Sequence, residues 1–219
     1  MAIQAPRRVK SQQTRKKIFD AAAKLLREHG EEYLTIANIC ETAGVSKGTF
    51  FYHFNSKDDL MLYYLEEGLD TFIEEHDSSI VEEAGDDVCL LIWRMYHQYL
   101  DYCQQTGIEF ISNYYQTSNK ALDARSTMGT AETMNNMLRT CTEGLRRAQA
   151  NGYVRKDWSA EDMSFDCCSV VKGCVFEWCL SGGAINLLAH AQHILYCYFA
   201  NIVTEAHRER FGLEEPPMA

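Results

Sequence analysis

Apolar residues recur along most of this chain at the three- and four-residue spacing of one helix face, and no strand-length alternating segment competes with that pattern. From Thr14 to His29, Ile18, Ala22, Leu25 and Leu26 fall at i, i+4, i+7 and i+8, and Gly30 supplies a C-terminal cap. Residues 1–12 lack any such period and read as a flexible basic arm. Thr35 is a good N-cap for a short helix that turns Ile36, Ile39, Cys40 and Ala43 inward, and Gly44 gives a tight turn its freedom. Ser46 caps a third helix. Ser56 caps a fourth, which carries Asp58 and Asp59 in its first turn and runs to about Glu75.

Beyond residue 85, Val88, Leu91, Ile92, Met95, Tyr99 and Tyr102 keep one face to about Gln105, followed by a short aromatic segment from Ile108 to Tyr115. A helix from Thr130 to Ala150 ends at Asn151-Gly152, and Ser159 with Asp162 opens another that reaches about Leu180. Ile185, Leu188, Leu195, Tyr196 and Phe199 mark a last helix, extending to about residue 210. The pattern predicts an all-α protein of about nine helices, with a helix-turn-helix domain at 13–57 and a larger helical domain at 58–219.

Composition changes this picture little, but charge changes it more. The content is 46% hydrophobic and 24% charged, as in ordinary globular proteins. The net charge of −10 conceals an uneven distribution: residues 1–57 carry a surplus of basic side chains, and the first seventeen hold six with no acid. A basic module on an acidic body points to nucleic acid at one end only. The basic, polar N-terminus lacks the apolar core of a signal peptide, and Lys172, Glu177 and Gly182-Gly183 interrupt the most apolar region. A cytoplasmic location without membrane contact is expected. Nine cysteines without a C-x-x-C pair read as free thiols in that setting.

The chemistry concentrates in one short stretch, "TIANICETAGVSKGTFFYHFNSKDDL" at 35–60. Val45, Phe50 and Phe54 suit packing inward. Ser46, Thr49, Tyr52 and His53 share the other side, and Lys47 stands at the N-terminal end, where recognition helices meet base edges. Gly48 costs about 1 kcal/mol of helix stability relative to Ala, and its benefit is close approach of backbone to DNA. Lys57 lies in the next helix's first turn, where amide groups and a cation together hold a phosphate.

That stretch, preceded by "IFDAAAKLLREHG", resembles the DNA-binding domain of the tetracycline-repressor (TetR) family over about residues 13–65. The resemblance rests on Thr35, Ile39, Ala43-Gly44-Val45, Gly48-Thr49, Phe54 and Ser56-Lys57. It implies an all-helical homodimer whose first three helices bind double-stranded operator DNA, while a divergent C-terminal domain dimerises and senses a small effector. Carried over by residue, it implies phosphate contacts from Thr35, Thr49, His53 and Lys57, and base reading by Lys47, Gly48 and Tyr52. The family usually has Tyr where this chain has Phe51, which lacks that hydroxyl but keeps the apolar surface for a thymine methyl.

For the larger domain, Trp93, Tyr96, Tyr99, Tyr114, Tyr115, Phe165, Phe176 and Trp178 offer apolar bodies, several with polar tips, suited to an amphipathic or aromatic ligand. Val170, Cys174, Leu188, Gln192, Leu195 and Phe199 on the last two helices are candidates for the dimer contact that the resemblance implies. As an alternative sensor on the same DNA-binding scaffold, Cys167 and Cys174 share one helix face, as do Cys168 and Cys179, and oxidation or soft-metal binding there would switch DNA affinity. No cofactor or metal motif is present, and the usual catalytic signatures are absent. A Cys–His enzyme, whose partners meet only in the fold, is the remote alternative.

Overall fold

In the computed structural model, which describes residues 4–60, 63, 79–114 and 132–213, the regular elements are helices, with one isolated antiparallel bridge between Val154 and Val203. The chain divides into two units. Residues 1–68 and 109–126 form the first, and residues 69–108 and 127–219 form the second.

In the first unit, α1 spans Gln4–His29, longer than the hydrophobic period alone suggests. The segment expected as a flexible arm is helical from Gln4. Pro6 is tolerated there because it lies in the first turn, where a missing N–H leaves no helical bond unmade. Thr35 caps α2 (Ile36–Ala43) by accepting from the Asn38 amide at 3.2 Å. Gly44, at φ 64°, ends that helix in the left-handed region, and its N–H returns to the last carbonyls of α2. Ser46 caps α3 (Lys47–His53) by accepting from the Thr49 amide at 3.0 Å. Ile18, Ala22 and Leu26 of α1 form the core with Ile39, Phe50, Phe54 and Leu60, all at most 2% exposed. Phe110, on α6 (Ile108–Tyr114), completes this core with its ring edge-on to Phe19 at 5.7 Å. The long fourth helix expected from Ser56 is seen only as far as residues 57–60 and 63, and the rest of it lies outside the described residues.

In the second unit, α4 (Ile80–Ala84) precedes α5 (Val88–Thr106), and α7 (Glu132–Ala150), α8 (Ala160–Leu180) and α9 (Leu187–Ile202) pack around α5. The α5–α7 crossing is close: a Cβ on Gly144 would lie 2.6 Å from Leu91 Cδ2. Ser159 both accepts from the Asp162 amide and donates to its carboxylate at 2.6 Å, the expected cap. The last helix stops earlier than its hydrophobic period suggests. Val203 turns extended, the Arg155 amide donates to the Ile202 carbonyl at 2.8 Å, and the Thr204 amide donates to the Tyr153 carbonyl at 2.9 Å. The loop after α7 thus captures the backbone, and two short 3-10 turns follow at Glu205–His207 and Glu209–Phe211.

Candidate nucleic-acid interface

The recognition-helix candidate α3 is held from beneath. Phe50 is fully buried, and Phe54, at its C-terminal cap, stacks on Phe50 at 5.8 Å and on Tyr63 at 5.5 Å. Arg15 of α1 lays its guanidinium 3.8 Å above the Tyr63 ring and 5.2 Å from that of Phe54, a cation–π clamp the sequence did not announce. With Phe50 fixing the inward direction, the outward arc contains Lys47, Gly48, Phe51 and Tyr52, all exposed. Thr49 and His53 are half-buried on the flank of that arc. The positions expected to read bases, Lys47, Gly48 and Tyr52, are thus exposed, while Thr49 and His53, expected at phosphates, are more covered.

The polar groups are organised before any ligand arrives. Ser46 and Thr49 hydroxyls meet at 2.9 Å, so Ser46 is engaged as a cap and in a side-chain hydrogen bond. The Thr35 hydroxyl, exposed, accepts from the Asn38 amide and keeps its own proton to donate outward. Asn38 in turn donates to the Tyr33 carbonyl at 2.8 Å. The His53 ring stands edge-on to Tyr52 at 5.0 Å, and partial burial, followed by the nearby Arg15 charge, lowers its pKa. Past the helix, Asp59 accepts from the Asn55 backbone amide at 2.8 Å, and Ser56 accepts from the Asp59 amide at 3.0 Å. Those bonds set the start of the next helix and place Lys57 in its first turn. The roles of Asn38 and Asp59 were missed in sequence, although "NSKDD" carries the capping signal that marks Asp59.

The effector and interface candidates in the second unit fall into different places. Tyr96, Tyr99 and Trp178 are buried there and Trp93 is half-buried. The Tyr96 hydroxyl has no nitrogen or oxygen partner and meets the Cys168 thiol, a weak one. Phe165 and Phe176, grouped with them by sequence, are instead 41% and 42% exposed on the outer side of α8, beside Leu180 at 65%. Tyr114 is the last residue of α6, and Tyr115 lies outside the described residues. Of the interface candidates, Cys174, Leu195 and Phe199 are buried within the single chain, Val170 and Leu188 are half-buried, and Gln192 is exposed.

Among the cysteines, burial pushes Cys103 and Cys141 up to about 12, and Cys89 and Cys167 are also raised by burial. These thiols stay protonated, the unreactive form. Among the described residues, no group of three or more His, Cys, Asp or Glu is arranged to hold a metal ion, and no helix is long and apolar enough to cross a membrane.

An all-helical fold whose helix-turn-helix exposes Lys47, Gly48, Phe51 and Tyr52 defines a DNA-binding regulator. Residues 18–64 match the family described as "Bacterial regulatory proteins, tetR family". The chain is similar to the HTH-type transcriptional regulator TtgR of Pseudomonas putida, 26% identical over 194 residues, covering 83% of this chain and 88% of TtgR. Its fold is that of the Thermus thermophilus FadR repressor in complex with lauroyl-CoA, with TM-score 0.66 and 20% identity over 94% of this chain and 98% of that one. Bacillus subtilis FadR in complex with stearoyl-CoA superposes with TM-score 0.63 and 18% identity, over 84% and 97% of the two chains. Residues 18–64 thus carry a DNA-binding domain of the TetR family, and over most of its length the chain is similar to a helix-turn-helix transcriptional regulator.

Proposed function

We propose that this regulator is a cytoplasmic homodimeric repressor that leaves its operator when an amphipathic effector enters the second unit. The observation that carries the reading is the exposed arc of α3, which presents Lys47, Gly48, Phe51 and Tyr52 while Phe50 anchors the helix. Phosphate contacts fall to Thr35, Thr49, His53 and Lys57, with Ser46 acting chiefly as the cap. The effector site is assigned to Trp93, Tyr96, Tyr99 and Trp178, where a buried tyrosine hydroxyl lacks a nitrogen or oxygen partner. The acyl-CoA ligands of the two FadR structures make a long apolar body with a polar head a fitting effector class. Phe165, Phe176 and Leu180 are assigned to the dimer contact, because together they place exposed apolar surface on the outer side of α8, and exposed Gln192 of α9 is kept with them as a polar candidate. Burial raises the thiol pKa of both Cys167 and Cys174, which weighs against a redox switch at that pair.

Binding of the full-length protein to a fragment of its own upstream region tests the reading. Affinity is expected to fall by about two orders of magnitude or more between low and moderate salt, as counterions released from the phosphates return. Binding that is absent there, or indifferent to salt, rejects it. Loss of binding on adding a long-chain acyl-CoA would identify the effector class.

A further inference from the structure

The outward face of α3 carries one side chain with no polar atom. Phe51 is 53% exposed, within an arc of about 140° that also holds Lys47, Gly48 and Tyr52. Its ring is not loose: it stands edge-on to buried Phe50, with centroids 5.5 Å apart and planes at 85°. One turn back, at i−3, Gly48 leaves a notch beside it. A Cβ built on Gly48 would meet nothing nearer than Ser46 Oγ at 3.7 Å, so nothing inside the protein requires glycine there. An oriented apolar ring beside an open, methyl-sized notch matches one feature of the major groove. The C5-methyl is the only apolar group that a base edge presents there, and cytosine lacks it.

We propose that Phe51, with the open backbone of Gly48, reads the C5-methyl group of one pyrimidine in each operator half-site, and therefore accepts thymine and 5-methylcytosine alike while discriminating against uracil and unmethylated cytosine. The proposal rests on α3 being the recognition helix. Phe51 contributes no hydrogen bond, so it senses the methyl group and not the exocyclic amine or carbonyl that distinguishes the two bases.

The test begins by selecting binding sequences from a random duplex library with the full-length protein. Each dT of the selected site is then replaced singly by dU. One position per half-site is expected to lose about three- to tenfold in affinity, the scale of one buried methyl group. With Phe51→Ala the wild-type affinity drops and the dU penalty at that position disappears, whereas Phe51→Leu retains part of it. Replacing the same pair by one containing cytosine, with and without the 5-methyl group, should reproduce the three- to tenfold difference in the wild type alone. Because Phe51 is exposed, both variants are expected to fold, which a thermal melt verifies. A dU penalty unchanged by Phe51→Ala, or no dU-sensitive position at all, overturns the proposal. If Lys47→Ala and Tyr52→Ala leave the selected sequence and affinity unaltered, the recognition-helix reading itself fails, and the proposal with it.

Discussion

Gly48 separates the two demands made on α3. Inside the free protein its Cβ position is open, so Gly48→Ala adds helix propensity without a clash and is expected to stabilise the fold by up to about 1 kcal/mol. On DNA the same methyl occupies the approach path of the backbone, and affinity is expected to fall about tenfold. A thermal melt and a DNA titration on one preparation read the two effects; a variant that binds DNA as tightly as the wild type would show that close backbone approach is not used. At this scale the sequence was most informative where chemistry is local. Ser46, Thr35 and Ser159 were readable as caps because a cap bonds three residues ahead, and each does so. The side taken by Phe165 and Phe176 was not readable. A helix that buries one face and offers an apolar second face is hydrophobic nearly all round, and its period no longer tells inside from outside.

Among elements, the lengths of helices were less legible than their existence. Hydrophobic period would have carried α9 to about residue 210, but the loop carrying Tyr153, Val154 and Arg155 competes for the backbone from Ile202 onward, and a competitor some fifty positions away in sequence leaves no local mark. Gly144 was likewise silent, since its meaning lies in Leu91 on the facing helix. Gly144→Ala forces Leu91 or the helix axis to move, and is expected to destabilise the second unit by about 1–3 kcal/mol despite the gain in helix propensity. Chemical denaturation measures this, and in a Leu91→Ala background the same substitution should cost less, because its steric partner is gone. A Gly144→Ala protein as stable as the wild type would mean that the α5–α7 spacing relaxes freely.

For the whole molecule, the division of labour was legible and its wiring was not. A basic head on an acidic body, and the family stretch at 35–60, were plain in the residues. The helix beginning at residue 57, which the sequence carries to about Glu75, lies mostly outside the described residues. The assembly makes its own prediction. Placing charge on the outer face of α8 with Phe165→Asp and Phe176→Asp together is expected to raise the dimer dissociation constant at least about tenfold. Half-maximal DNA binding should then move to higher protein concentration, while far-ultraviolet circular dichroism stays the same. Sedimentation velocity across a dilution series checks it, and an unchanged dimer would move the contact elsewhere.

Phe110 resting on Phe19 sets a limit on how this protein comes into being. The DNA-reading unit is not a contiguous stretch of chain, because it recruits residues 109–126 across an intervening segment. During synthesis, α1, α2 and α3 emerge with one wall of their core missing, and that wall arrives only roughly a few seconds later at about 5–20 residues per second. The nascent head must wait for part of the body before it can close. For the same reason, a fragment cut after residue 68 loses the Phe110 ring from Phe19 and is expected to be less stable than the same residues in the full chain.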